Sequence, residues 1–542
     1  MNVESSRFIK GAAVLAVAGA IVKVLGAIYR IPLYSILGPE GMGLFQAAYP
    51  LYAMMLAISI AGVPVAVSKL VAENIARKNY LGAHQVFKVA LLLMSITGAS
   101  VTAVLMLGAR YYAENYLQAP GVFYPLIAIS PAVFFFAVKS AFRGFFQGQQ
   151  KMFPTGLSQV IEQLIRVLTL FVLASTLVGV SLEYGAAGAT FGSVTGAAAA
   201  LLVLAGMYWR QRRDFFTVAA TGNNKLEPFG KVLRNIMWLA LPLTISSIVV
   251  PLISAVDSTI IIPRLQVAGF DETRALELFG NLTGAAMPLI GLPTIITMAI
   301  AVSLIPAISN ADAAGNKVLV AKLSSLASRI GMIIGLPATV GLFLLAQPIS
   351  VVLFNNAEVA LPLRWASLAI VFLTLQKTTT PVLQGLGKTY LPVLHTFIGL
   401  IFKVALNYTL TAMPGVNILG PVAGTITFFI IASGLNFAAV YRLVGWKDSP
   451  WQAVGKPLVN ACLMGGGVLV VYPLARSAAS LAVQSMRAQA TVGITVAIVF
   501  ALVIYSLASF FSGVVTIREL EMIPRVGKKI ASLMGRLGLR RK

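Results

Sequence analysis

The chain has 542 residues, 58% of them hydrophobic and 11% charged, with a mean hydropathy of +0.88. Soluble domains carry roughly 25% charged residues, so this composition excludes an ordinary soluble protein. The formal charge of +24 would point to nucleic acid in a soluble chain; here its distribution matters more, and no nucleic-acid partner is expected. One cysteine, Cys462, and two distant histidines, His84 and His395, argue against a disulfide and against a cysteine or histidine metal centre.

Apolar windows of about 20 residues predict an all-α, polytopic membrane protein with about fourteen transmembrane helices. The first six lie near 11–36, 44–72, 86–109, 121–142, 156–179 and 186–208. Six more lie near 236–263, 282–309, 323–345, 361–383, 390–411 and 419–441, and a last pair near 455–475 and 488–511. The N-terminal run is longer than the apolar region of a cleaved signal and lacks a cleavage site, so it is read as the first span.

That first span, Gly11 to Gly38, carries Lys23 and Arg30 inside its apolar run. Gly19, Lys23, Gly26 and Arg30 follow steps of four, three and four, which places them on one helix face. A glycine-lined cationic stripe aims at protein or at a water-filled cavity rather than at lipid. For Arg30 a second reading stands, in which it snorkels to the outer headgroups. Pro32 lacks a backbone donor and predicts a bend nearby.

With the N-terminus inside, the cytoplasmic segments hold 25 Lys and Arg and the external ones 5. This asymmetry predicts a multi-pass protein of the cytoplasmic membrane with both termini cytoplasmic. The other 11 basic residues fall in or near spans, among them Lys23, Arg30, Lys69, Lys139, Arg166, Lys377 and Lys403. Only two acids, Glu162 and Asp257, stand against them, so the interior reads as strongly electropositive. The tail from Arg518 to Lys542 places Ile523, Val526, Ile530, Leu533 and Leu537 at helical spacing between basic residues. It reads as an amphipathic helix on the inner leaflet.

The chain also repeats itself. Gln147-Gly148-Gln149-Gln150-Lys151 after the fourth span recurs as Gln384-Gly385-Leu386-Gly387-Lys388 after the tenth. Around these, Lys139, Pro154 and Arg166 are matched with Lys377, Pro392 and Lys403. Six spans and about 237 residues separate the copies, which predicts two six-helix lobes in parallel pseudo-repeat. The predicted divisions are a first lobe at 1–210, a cytoplasmic linker at 211–235, a second lobe at 236–443, a C-terminal helix pair at 444–511 and a basic tail at 512–542.

The combination Lys23-Val24-Leu25-Gly26, Gly41-Met42-Gly43-Leu44-Phe45, Gly62-Val63-Pro64 through Glu73, Arg143-Gly144-Phe145-Phe146-Gln147-Gly148 and Ser158 to Gln163 resembles the stage V sporulation protein B group. That group lies in the polysaccharide-exporter branch of the multidrug/oligosaccharidyl-lipid/polysaccharide flippase superfamily, alongside MurJ-type lipid II flippases. The likeness covers nearly the whole chain. It implies translocation of an undecaprenyl-pyrophosphate-linked saccharide, with a first-helix cation, here Lys23, serving the diphosphate. The MurJ pattern also has an arginine in its eighth helix; this chain has none from Asn281 to Asn310. The resemblance further implies a Na+ site at Asp257, Asn407 and Thr425. It also implies a cell-wall role, vegetative or in sporulation.

The residues themselves support an anionic cargo. A lipid-linked diphosphate has a tail that can stay in the bilayer and a charged head that needs a cationic cleft. Lys23 and Arg30 are the leading contacts. Lys69 either captures the head group at the inner end of the second span or simply snorkels. Lys139, Arg166, Lys377 and Lys403 line the two lobes. Glu162 and Arg166, one turn apart, read as a structural pair rather than a proton relay. Asp257 is the lone acid of the seventh span; it takes a coupling Na+ or H+, or pairs with an interior cation. No other cofactor is expected, and the protein is expected to act as a monomer among membrane lipids. Two other classes fit the residues less well. A cation-coupled multidrug antiporter would call for more membrane acids. A membrane glycosyltransferase or polymerase would need external carboxylates and room for catalysis. No nucleotide loop, catalytic triad or metal cluster is visible, so an enzyme is not expected.

Overall fold

The computed structural model describes residues 3–514 apart from 61, 446–448 and 450. The predicted tail helix, Arg518 to Lys542, lies outside the described residues. Every regular element described is helical, as the bilayer demands of a chain that must satisfy its own backbone hydrogen bonds.

Among the described residues, twelve helices are long and apolar enough to cross a membrane. The pair Ala357–Ala366 and Ala369–Gly385, bent by 48°, makes a thirteenth. The shortfall from fourteen comes from Val17–Ala76, a 60-residue apolar stretch counted as one span although the first two predicted spans lie largely within it. At 1.5 Å per residue it would extend about 90 Å, roughly three times the hydrocarbon thickness. Gly38 divides it, with φ 68° and ψ −177°, a conformation only glycine adopts freely. The bend predicted at Pro32 therefore falls at Gly38. At Pro32 the helix carries on, since Leu33 N–H still donates to the Tyr29 carbonyl at 3.1 Å.

The chain forms two compact units, Met1–Ala285 with Asn407–Ile418, and Ala286–Leu406 with Leu419–Lys542. The first holds α1 (Val3–Ile28), α2 (Arg30–Ile60), α3 (Val63–Ala76), α4 (Tyr80–Tyr111), α5 (Phe123–Ile129), α6 (Ala132–Gly148), α7 (Phe153–Leu177), α8 (Leu182–Ala220), α9 (Phe229–Val267) and α10 (Glu272–Gly280). Helix α7 packs along α8, α6 lies against α3 and α4, and α2 against α9 and α10. One apolar core joins Val67, Phe87, Met94, Phe142, Phe145 and Leu204, with the Phe87 and Phe145 rings 4.7 Å apart. Gly62, at φ 80°, lets the chain pass so close to α9 that a Cβ would collide with the Ala240 carbonyl.

The second unit holds α11 (Met287–Gly291), α12 (Thr294–Ala313), α13 (Lys317–Leu344), α14 (Ala346–Phe354), α15 (Ala360–Ala366), α16 (Ala369–Gly385), α17 (Tyr390–Leu410) up to Leu406, α18 (Leu419–Val444), α19 (Lys456–Ser480) and α20 (Met486–Phe511). The last two pack on each other and form the C-terminal helix pair.

The repeat is built into the backbone. Helices α4, α5, α6, α7 and α8 start at Tyr80, Phe123, Ala132, Phe153 and Leu182. Helices α13, α15, α16, α17 and α18 start 237 residues later, at Lys317, Ala360, Ala369, Tyr390 and Leu419. The left-handed residues follow the same period: Lys78, Gln118 and Gln150 pair with Gly315, Asn355 and Gly387. So do the helix caps, where Asn79 accepts from Gly82 N–H and Asn316 from Leu319 N–H. This register confirms Arg166 with Lys403 and corrects Lys139, whose counterpart is Gln376 and not Lys377. It also moves the Pro154 match by one residue. One residue turns a helix by about 100°, enough to change a buried position into an exposed one. Lys139 is 1% exposed, whereas Lys377 lies on the exposed face of α16.

Candidate functional site

The cations of the first unit converge where α6, α7 and α2 meet. Lys139 and Arg143 are one turn apart on α6, so both point toward α7. Glu162 on α7 receives both on a single oxygen: Oε2 lies 2.5 Å from Lys139 Nζ and 2.9 Å from Arg143 Nη2. The Lys139 ammonium also sits 3.3 Å from the centre of the Phe136 ring. Arg143 donates further to Ser158 Oγ from Nε and Nη2, each at 3.3 Å.

Arg166 follows Glu162 by one turn but does not pair with it, contrary to the expected structural pair. Its Nη2 donates to the Tyr49 hydroxyl on α2 at 3.1 Å, and its guanidinium lies 5.5 Å from that ring's centre. Glu162 instead reaches across to α6, where two cations compensate it better than one. Tyr49 packs edge-on against Tyr52 at 5.5 Å, and buried Tyr29 lies in the fields of both Arg30 and Arg166. Arg166 Nε is buried without a hydrogen-bond partner. Two cations, Lys139 and Arg143, thus share the single Glu162 carboxylate, and Arg166 lies beside them against Tyr49, an excess of positive charge in a low-dielectric setting. Such a surplus favours binding an anion.

The other predicted contacts are placed differently. Lys23 is exposed on α1. Lys69 is exposed on α3 and lies 3.8 Å from Glu73. In the second unit Lys377 is exposed, while Lys403 is buried with its ammonium 5.8 Å from the Phe428 ring centre. Arg166, half-buried, and Lys403, buried, are equivalent in the repeat and are both cations held against an aromatic ring.

Asp257 on α9 meets Asn407, whose Nδ2 donates to Asp257 Oδ1 at 2.8 Å. Asn407 Oδ1 and, one turn on, Thr411 Oγ1 are buried without hydrogen-bond partners. Carboxylate, amide and hydroxyl oxygens are the donor type that suits a hard cation. Thr425, predicted for the same set, is buried on α18 of the second unit. Sequence reasoning missed Arg143, Tyr29, Tyr49 and Thr411. Arg143 and Thr411 carried a signal, each lying four residues after a predicted site residue, Lys139 and Asn407.

A repeated bundle of long apolar helices with cations held inside it defines a multi-pass membrane protein of the transporter kind. The chain belongs to the polysaccharide biosynthesis protein family, whose model matches residues 8–312; a MatE model matches residues 283–409. It is 29% identical over 442 residues to stage V sporulation protein B of Bacillus subtilis, covering 81% of this chain and 84% of that protein. It is 28% identical over 464 residues to the lipid II flippase MurJ of the same organism, covering 82% and 84%. The fold matches a solved lipid II flippase MurJ in an inward closed conformation, with TM-score 0.65, 15% identity and coverage of 91% of this chain and 98% of that one. It equally matches an inward-facing multidrug resistance MATE family transporter of the MOP superfamily, with TM-score 0.65, 16% identity and coverage of 78% and 94%.

Proposed function

We propose that the protein is a flippase that carries an undecaprenyl-pyrophosphate-linked saccharide, a lipid II-like cell-wall precursor, from the inner to the outer leaflet by alternating access. The observation that carries this reading is the excess of cations inside the bundle, with Lys139 and Arg143 sharing the one Glu162 carboxylate and Arg166 held by Tyr49. A buried cation without a counter-charge costs several kcal/mol, and an anionic cargo repays that cost only while it is bound. The similarity to stage V sporulation protein B and to a lipid II flippase supports the same cargo class. The protein acts as a monomer in the cytoplasmic membrane, with both termini on the cytoplasmic side in keeping with its basic loops.

Asp257, Asn407 and Thr411 hold the coupling cation, Na+ or H+, in this reading. The carboxylate supplies charge, and the amide and hydroxyl oxygens complete the donor set. Binding there stabilises one conformation over another, which is all that coupling requires.

The test is translocation of lipid II by the purified protein in liposomes, with Lys23→Ala, Arg30→Ala and Arg166→Ala alongside. Loss of movement in the Arg166 variant with the protein still folded supports the reading. Wild-type protein that ignores lipid II and exports organic cations overturns it in favour of a multidrug antiporter.

A further inference from the structure

Helix pair α6–α7 and its repeat α16–α17 share helix starts and left-handed turns at the same 237-residue offset, but not their charges. Lys139, Arg143 and Glu162 correspond to Gln376, Thr380 and Gly399. Ser158, which accepts from Arg143, corresponds to His395, whose Nδ1 lies 2.7 Å from Asn436 Oδ1 while Asn436 Nδ2 donates to Thr380 at 3.1 Å. The fold therefore builds this helix pair on a neutral network in one copy and on a charged one in the other. Charge is not what the scaffold needs there. A buried ion cluster is rarely more stable than a well-packed neutral one, so its presence in one copy calls for another reason.

Exposure separates the three charged groups. The Lys139 side chain is 1% exposed, whereas Glu162 and Arg143 are 15% and 17% exposed. An anion arriving from outside the helix pair can touch Arg143 and the edge of Glu162 but cannot reach Lys139. Both cations share the one oxygen, so Arg143 can leave while Lys139 keeps the carboxylate neutralised. Lys139 is buried deeply enough to hold Glu162 in place through the exchange.

We infer that Arg143 is a binding residue for a phosphate group of the lipid-linked cargo, and that Glu162 is an internal carboxylate surrogate which that phosphate displaces. The inference rests on the flippase reading and adds the residues that discriminate charge. Arg143 turns its planar fork from the carboxylate to the phosphate, a geometry the guanidinium matches in two parallel hydrogen bonds. Lys139 is a positioning residue that retains Glu162. A neutral lipid cannot displace the carboxylate, so the site selects for a diphosphate over the free alcohol.

The test is binding of farnesyl diphosphate, with farnesol and inorganic pyrophosphate as comparisons, to the full chain in nanodiscs, followed by intrinsic fluorescence. Wild-type protein is expected to bind the diphosphate lipid and not farnesol. Arg143→Gln weakens binding at least tenfold. Glu162→Gln strengthens it severalfold, because the competing carboxylate is gone. Since Glu162→Gln leaves Lys139 buried without its counter-ion, the double variant Lys139→Met/Glu162→Gln is the control; it removes both charges and keeps the tighter binding through Arg143. A folded Glu162→Gln or double variant with weaker or unchanged binding overturns the inference, as does unchanged binding in Arg143→Gln. Lipid II translocation measured in parallel separates the two claims. Wild-type movement with flat binding in the variants sinks the surrogate alone; binding as expected without lipid II movement sinks the cargo assignment alone.

Discussion

Lys139 and Gln376 occupy the same point of two copies of one helix, 237 residues apart, and both are buried, at 1% and 9% exposure. One is charged because Glu162 faces it from α7; the other is neutral because the equivalent of that acid is Gly399. The pair gives a direct comparison of charge in a constant frame. Gln376→Lys is expected to destabilise the protein by about 3–5 kcal/mol, the cost of a buried charge without a partner. Lys139→Gln is expected to cost less, since Arg143 remains on the carboxylate. Thermal unfolding in detergent checks the order; equal losses would mean that Glu162 does not compensate Lys139.

Arg166 and Tyr49 should act as one unit. Tyr49→Phe keeps the ring under the guanidinium but removes the hydroxyl acceptor, at an expected cost of about 1.5–3 kcal/mol for a hydrogen bond to a charged group. Arg166→Lys loses the fork and should lower lipid II translocation roughly tenfold, or about 1.4 kcal/mol. Full activity in Arg166→Lys would show that only its charge matters.

For the ion, Asp257→Asn should abolish any Na+-dependent rise in melting temperature. Thr411→Val and Thr425→Val decide which hydroxyl belongs to the set. The orphaned Thr411 oxygen predicts that Thr411→Val weakens Na+ binding, which 22Na+ binding to the purified protein measures directly. A Na+ response that survives Asp257→Asn moves the coupling site elsewhere.

Exposed cations should matter little. Lys377→Gln and Lys69→Gln are expected to change stability by no more than about 0.5 kcal/mol and translocation by less than about twofold. Lys403→Gln, at the buried equivalent of Arg166, should reduce translocation more than either. The opposite order would point to an exposed capture site for the head group.

Gly62→Ala tests the close approach of the chain to α9. The residue has φ 80°, and a Cβ would meet the Ala240 carbonyl, so a loss of about 2 kcal/mol or more is expected. An unchanged melting temperature would mean that α9 moves away at little cost.

The sequence by itself determined the helical membrane class, the location of the spans, the 237-residue period and the excess of interior cations. These follow from properties of single residues and local windows. Lipid admits only long apolar helices with internally satisfied backbones, and hydropathy reports that directly. The Asp257–Asn407 pair was also within reach, through resemblance and not through spacing. The tertiary structure alone decided which cations are compensated. Glu162 stood one turn from Arg166 on its own helix, yet its partners come from α6, 19 and 23 residues earlier in the chain. A match one residue out of register equated exposed Lys377 with buried Lys139, because one step along the chain is about 100° around the axis. Partner choice depends on the facing helix and on burial, and neither is a property of a linear window.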